Sequence, residues 1–255
     1  MSAITVHDYK KKDLTNSMVV VSFPTVGLVS TIAANFLVSN MKLELVGALT
    51  SEDFYPAAII QDGVPMPPVR IYAGDDVCGP KEACDQLVVI TSELPVKSAS
   101  YSQLADKIIE WCQERKCHVL VTVEGVNSQE VPKDIPKVFH VASTPDATAH
   151  LKDLGTEALV TGMVSGLSGL LLYKGNFADF DVVCLLAEAH AEYPDSRSAA
   201  QILTILNKMI PQMKIDPKPL MEQANAIEAQ VRKSMAQMKP LPPAEMPEAP
   251  PGMYR

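Results

Sequence analysis

A three-layer α/β/α domain is the fold that the sequence predicts, followed by a C-terminal helix and an extended tail. Three observations carry the prediction. Short apolar, β-branched runs recur along the chain, and runs of that kind suit strands buried on both faces of a parallel sheet. Between them lie stretches with apolar residues at spacings of three and four, the pattern of helices with one buried face. The chain has 255 residues, 47% of them hydrophobic and 20% charged, which allows a full core and argues against wholesale disorder.

In chain order, Met18–Phe23 is the first strand, and Pro24-Thr25 ends it. Val26–Val38 is then a helix, with Val29, Ile32, Ala33, Phe36 and Leu37 on one face. Leu43–Leu49 is the next strand. Ala57–Ile60 and Pro68–Tyr72 flank Gln61-Asp62-Gly63, where Asp-Gly between short apolar runs signals a hairpin. Gln86–Thr91 is a buried strand, Tyr101–Arg115 an amphipathic helix, and His118–Val123 another buried strand. Lys137–Val141 is a weaker strand, and Ala147–Leu154 a short helix stopped by Gly155. Thr156–Val164 is strand or loop, leading into a helix at Gly166–Tyr173. Asp181–Ala187 is a strong buried strand, and Arg197–Ile210 a helix that Pro211 terminates. The alternation of strands and helices places one α/β domain at 1–211.

Composition changes after Pro211. Leu220–Met238 consists mostly of good helix formers, with Leu220, Ala224, Ile227, Val231 and Met238 near a heptad stripe, so 212–239 is a C-terminal helical segment. That stripe suits either an oligomer contact or packing on its own domain. Pro240, Pro242, Pro243, Pro247, Pro250 and Pro251 then make 240–255 an extended, semi-rigid tail.

Charge and cysteine usage narrow the function. A net charge of -8 does not suggest a nucleic-acid partner, and the one basic run, Lys10-Lys11-Lys12, reads as a solvated turn. The five cysteines show no C-x-x-C spacing, so neither a zinc site nor a redox motif is indicated, and reduced thiols are expected. The N-terminus lacks a signal-peptide layout, and no apolar run reaches the length of a membrane span. A soluble, cytoplasmic protein is expected.

Three places could carry chemistry. Thr161–Gly169 sets glycines ahead of a helix, where an anion could bind. It lacks the Lys-Ser/Thr ending of a P-loop and misses G-x-S-x-G, so a tight, closely packed turn competes with that reading. The stretch Glu188-Ala-His190-Ala-Glu192-Tyr193-Pro-Asp195 could form a metal or acid-base site, or a polar loop with Asp195 or Ser196 capping the next helix. Glu93, His118 and Glu124 stand singly at strand ends. No catalytic residue, metal or cofactor is indicated. The chain end differs in kind. Met253, Tyr254 and Arg255 set an aromatic ring and a free carboxylate on the proline spacer, a portable anchor for a pocket that pairs apolar walls with a positive group.

Val20-Val-Ser-Phe-Pro-Thr-Val-Gly-Leu-Val-Ser30, continuing through Thr31-Ile-Ala-Ala-Asn-Phe36, resembles the opening of the family of the second eukaryotic proteasome assembly chaperone and its archaeal homologues. Ser51-Glu-Asp-Phe-Tyr-Pro-Ala57, Thr161–Leu172 and Tyr193-Pro-Asp-Ser-Arg-Ser-Ala-Ala200 resemble its later blocks, so the likeness spans about residues 15–211. It implies a phosphorylase/hydrolase-like α/β/α fold without an established shared catalytic set. It also implies a homo-oligomer that assists 20S proteasome α-subunits, with the family's hydrophobic-Tyr-any motif falling on Met253, Tyr254 and Arg255. Proteasomal ATPases end in the same motif, but this chain has no P-loop. Two other readings stay open: a hydrolase- or phosphorylase-like enzyme using the Gly162–Gly169 turn and the His190 loop, and a scaffold for a paralogous family member.

Overall fold

The computed structural model describes residues 3–78, 84–127 and 135–222. The strands are β1 (Thr5–Asp8), β2 (Met18–Ser22), β3 (Glu44–Thr50), β4 (Ile59–Gln61), β5 (Val64–Met66), β6 (Val69–Ala73), β7 (Val77–Cys78), β8 (Cys84–Asp85), β9 (Leu87–Thr91), β10 (Val119–Asn127), β11 (Val138–Ala142), β12 (Glu157–Ala158) and β13 (Val182–Ala189). The helices are α1 (Val29–Asn40), α2 (Tyr101–Glu114), α3 (Pro145–Ala149), α4 (Gly166–Phe177) and α5 (Ser196–Met209).

Nine strands form one sheet in the order β1-β3-β6-β9-β2-β10-β13-β11-β12. Its centre is parallel: β2 pairs with β9 on one side and β10 on the other, and β10 pairs with β13. These are the apolar runs expected for strands covered on both faces, and every residue of β2 and β9 is buried. The flanks turn the sheet mixed, because β6 runs antiparallel to β9 and β11 antiparallel to β13.

Alternation along each strand divides the core in two. Val20, Val89, Val121 and Leu185 face α1 and α5, where Val29, Leu37, Ile202, Leu203 and Leu206 are buried. Val19, Val21, Ile90 and Leu120 face α2 and α4, where Leu104, Ile108 and Leu171 are buried. The result is the predicted sandwich of helices, sheet and helices. Met213, Ile215 and Leu220 are buried against the first cluster, so the packed core continues past the end of α5. Residues 218–222 are helical, and the rest of the expected C-terminal helix lies outside the described residues.

Several expectations need correction. The first helix begins at Val29 rather than Val26, because Gly27 and Leu28 take left-handed backbone angles of φ 62° and 51°. The Asp62-Gly63 hairpin closes on β5, whereas Val69–Ala73 joins the main sheet. The short helix lies at Pro145–Ala149, upstream of the expected span, where the Thr144 hydroxyl accepts from the Ala147 N–H at 2.9 Å and proline occupies the first turn. Strand β1, at one edge, was not foreseen; its exposed, polar pattern has no apolar run to mark it.

Candidate functional site

Sites in α/β folds form beyond the carboxyl ends of parallel strands. In this chain the ends of β2, β10 and β13 carry most of the residues marked in the sequence. A cleft of about 140 Å³ opens there, lined by Phe23, Thr25, Tyr101, Glu124, Ser165 and Ser168 among others. Glu124 leaves β10 and enters this cleft. The Ser168 hydroxyl, in the first turn of α4, donates to Glu124 Oε1 at 2.5 Å and is also hydrogen-bonded to the Thr122 hydroxyl. Burial raises the Glu124 carboxyl from 4.5 to about 7, against the opposing pull of the Ser168 hydrogen bond.

Gly169, in the first turn of α4, serves packing. A Cβ on Gly169 would lie 2.1 Å from the Val164 carbonyl oxygen, so the chain can fold back on itself there only without a side chain. This is the tight-turn reading of Thr161–Gly169.

The His190 loop forms a second polar knot. His190 Nδ1 lies 2.8 Å from Asp195 Oδ2, which also accepts from the His190 N–H at 3.0 Å. The other Asp195 oxygen accepts from the Ser198 N–H at 2.9 Å, capping α5. Burial opposes charge on Asp195, but these hydrogen bonds outweigh it and hold the carboxyl below its usual range. Tyr193 stacks on the imidazole with ring centres 4.6 Å apart. Gly27, with φ +62°, brings the turn after β2 against this loop: its carbonyl accepts from the Asp195 N–H at 2.8 Å, and a Cβ would stand 2.8 Å from the His190 oxygen. Asp195 is therefore a helix cap and a clamp between two loops.

The remaining singled-out residues are dispersed. Glu93 forms an ion pair with the buried Arg70 guanidinium, both carboxylate oxygens at 2.6 Å from Nη2. His118 lies at the opposite, amino end of β10, edge-on to His150. His190 is not among the residues lining the Glu124 cleft, so the two stretches of the enzymatic reading are not brought into that cleft together. Among the described residues no group of three or more His, Cys, Asp or Glu side chains is placed to hold a metal, and no helix is long and apolar enough to cross a membrane. Sequence reasoning missed the Thr122–Ser168–Glu124 chain; the one available signal was a carboxylate at the end of the apolar run before it. The lysines at 10–12 lie along a cleft of about 600 Å³ with Trp111 and Arg115, Lys10 paired to Glu44 and Lys12 to Asp75.

The outer surface carries exposed apolar side chains ahead of and along α4: Val160, Met163 and Phe177 are 81–90% exposed. Met253, Tyr254 and Arg255 lie outside the described residues.

Comparison with known proteins adds a family and a set of neighbours. The PAC2 family model matches residues 19–235. An uncharacterized protein of Methanocaldococcus jannaschii is 28% identical over 222 residues, 87% of each chain. Among solved structures, Pyrococcus furiosus PbaA, an archaeal homolog of proteasome-assembly chaperone, superposes with a TM-score of 0.79 at 26% identity, over 92% of this chain and 93% of that one. PbaB from the same organism, an archaeal proteasome activator, shares the fold with a TM-score of 0.78 at 22% identity, over 92% of this chain and all of its own (100%).

Proposed function

The chain belongs to the PAC2 family, and from that premise we propose that it is a non-enzymatic proteasome-assembly chaperone or adaptor that docks its C-terminal Met253-Tyr254-Arg255 motif into pockets of the 20S proteasome α-ring. The observation that carries this reading is the near full-length likeness to PbaA, joined to a terminal hydrophobic-Tyr-any sequence on a proline-rich spacer. The tyrosine ring supplies apolar area and a directed hydroxyl, and the terminal carboxylate supplies a charge for a lysine or a backbone nest.

The cleft at Glu124 supports a non-catalytic reading by its size. Ligand pockets run to about 300–1,000 Å³, and this one holds about 140 Å³. Its serine and carboxylate are joined to each other and to Thr122. In the proposed assembly several copies associate in the cytoplasm, and the apolar groups at Val160, Met163 and Phe177 offer area for subunit contact. Several tails then reach one ring together, and the overall affinity exceeds that of a single tail by about 10²–10⁴, with each contact unchanged.

The test is recovery of 20S proteasome or isolated α-subunits on the immobilised chain, intact and with residues 253–255 deleted. Recovery is expected to fall at least tenfold on deletion. Equal recovery from both forms would refute tail docking, and no recovery from either would refute the proteasome as partner.

A further inference from the structure

We propose that Cys112 and Cys117 form a peroxide-reactive dithiol, in which Cys117 is oxidised first and Cys112 resolves it to an intramolecular disulfide.

The pair is set by the way α2 ends. Lys116 adopts a left-handed conformation with φ 54°. Its N–H donates to the Gln113 carbonyl at 3.0 Å, and the Cys117 N–H donates to the Cys112 carbonyl at 2.9 Å. These two bonds define a Schellman motif, in which the residues that close the outer bond also bring their side chains together. That contact is ordinarily between two apolar groups. Here both positions are cysteines, so the motif sets two thiols side by side. The C-x₄-C spacing therefore yields a pair that C-x-x-C reasoning does not detect.

The two thiols are unequal. Cys117, 6% exposed, lines the wall of a cleft of about 510 Å³ at the amino end of the sheet, beside Lys116 and His118. Cys112 is fully buried and lines no part of that cleft. The hydrogen bond from Cys112 favours the Cys117 thiolate over the opposing effect of burial, and Arg115 adds to it, so the Cys117 thiol lies below its usual range. Burial raises Cys112 well above that range, which keeps it a protonated thiol. A thiol below its usual range, at the wall of a cleft and backed by a second thiol, is the arrangement of peroxide-reactive cysteines. Cys184, fully buried and raised by that burial, is an internal contrast in the same protein.

The chemistry balances with a hydroperoxide as oxidant. The Cys117 thiolate attacks one peroxide oxygen; the O–O bond breaks, the sulfur becomes a sulfenic acid, and hydroxide or alkoxide leaves with a proton from solvent. The Cys112 sulfur then attacks the Cys117 sulfur. The S–O bond breaks, and the departing hydroxide takes the Cys112 proton and leaves as water. Two thiols are oxidised and one peroxide is reduced. The disulfide joins residues whose backbones are already bonded, so it can form without unfolding α2.

The experiment uses the full chain with Cys78 and Cys84 replaced by serine, so that a link can form only among the three buried cysteines. Folded protein is exposed to hydrogen peroxide, alkylated and digested with trypsin, which cuts after Arg115 and Lys116 and separates the two cysteines. The expected product is a reducible link between peptides 108–115 and 117–133, with Cys184 unmodified. In Cys112→Ser, Cys117 is expected to be trapped by dimedone as a sulfenic acid; in Cys117→Ser, Cys112 is expected to remain reduced. The background protein carries the test by itself if a variant fails to fold. Absence of the 112–117 link, oxidation of Cys184 at a comparable rate, or undiminished oxidation of Cys112 in Cys117→Ser would each overturn the proposal.

Discussion

Replacing Glu124 with glutamine should remove a pH-dependent loss of stability. Glutamine retains an oxygen that can accept from Ser168, so the change isolates the titration. The folded carboxyl is raised from 4.5 to about 7. At about 1.4 kcal/mol per pH unit, that displacement sets an upper scale of about 3 kcal/mol. A raised carboxyl contributes its stability in full below pH 4.5, where both states hold the proton. Above that the unfolded chain releases its proton first, and the contribution declines until it is gone above about 7. Urea denaturation of both proteins at about pH 5 and about pH 8 measures the difference, and other titrating groups cancel between them. The wild type should lose about 2–3 kcal/mol more than Glu124→Gln across that interval, about 1 M in urea midpoint. Parallel behaviour, within about 0.5 kcal/mol, would refute the claim that Glu124 is buried with its charge uncompensated.

Asp195→Ala removes the cap of α5 and the acceptor for His190, and should cost about 2 kcal/mol in thermal or urea unfolding, with Asp195→Asn costing less because its oxygen can still cap. Because the Asp195 carboxyl is depressed, its stabilisation is present above its ordinary pKa of 3.8 and is lost as pH falls through the lower folded value; Asp195→Asn should flatten that acid limb. Gly169→Ala places a methyl 2.1 Å from the Val164 oxygen, and should cost about 1–3 kcal/mol by the same measurements. A short peptide appended after Arg255 blocks the terminal carboxylate, and should lower proteasome recovery as the deletion of residues 253–255 does; undiminished recovery would remove the carboxylate from the docking scheme.

Features set by neighbouring residues formed as the sequence predicts. The apolar runs at Met18, Gln86, His118 and Asp181 became the parallel centre of the sheet, since a strand covered on both faces needs apolar residues at successive positions. The stripes of α2 and α5 became buried faces because their period is a property of the chain alone. Strand β1 escaped because an edge strand needs no apolar run, and the second arm of the Asp62-Gly63 hairpin was misplaced because two short runs competed for one turn. The candidate site was legible as residue types only. Glu124 was marked singly and Ser168 lay unmarked within the Thr161–Gly169 turn, and nothing local indicated that a serine 44 positions away would donate to that carboxylate.

By itself the sequence determined the α/β alternation, the family likeness, and a Met-Tyr-Arg ending after a run of prolines, all of which depend on the order of neighbouring residues. Tertiary structure decided which strands run antiparallel at the flanks, which oxygen meets Ser168, why Gly27 must lack a side chain beside His190, and that the end of α2 bonds the Cys117 backbone to that of Cys112. Those outcomes depend on how the sheet is ordered and how each helix ends in space, and neither is written in any short stretch of the chain.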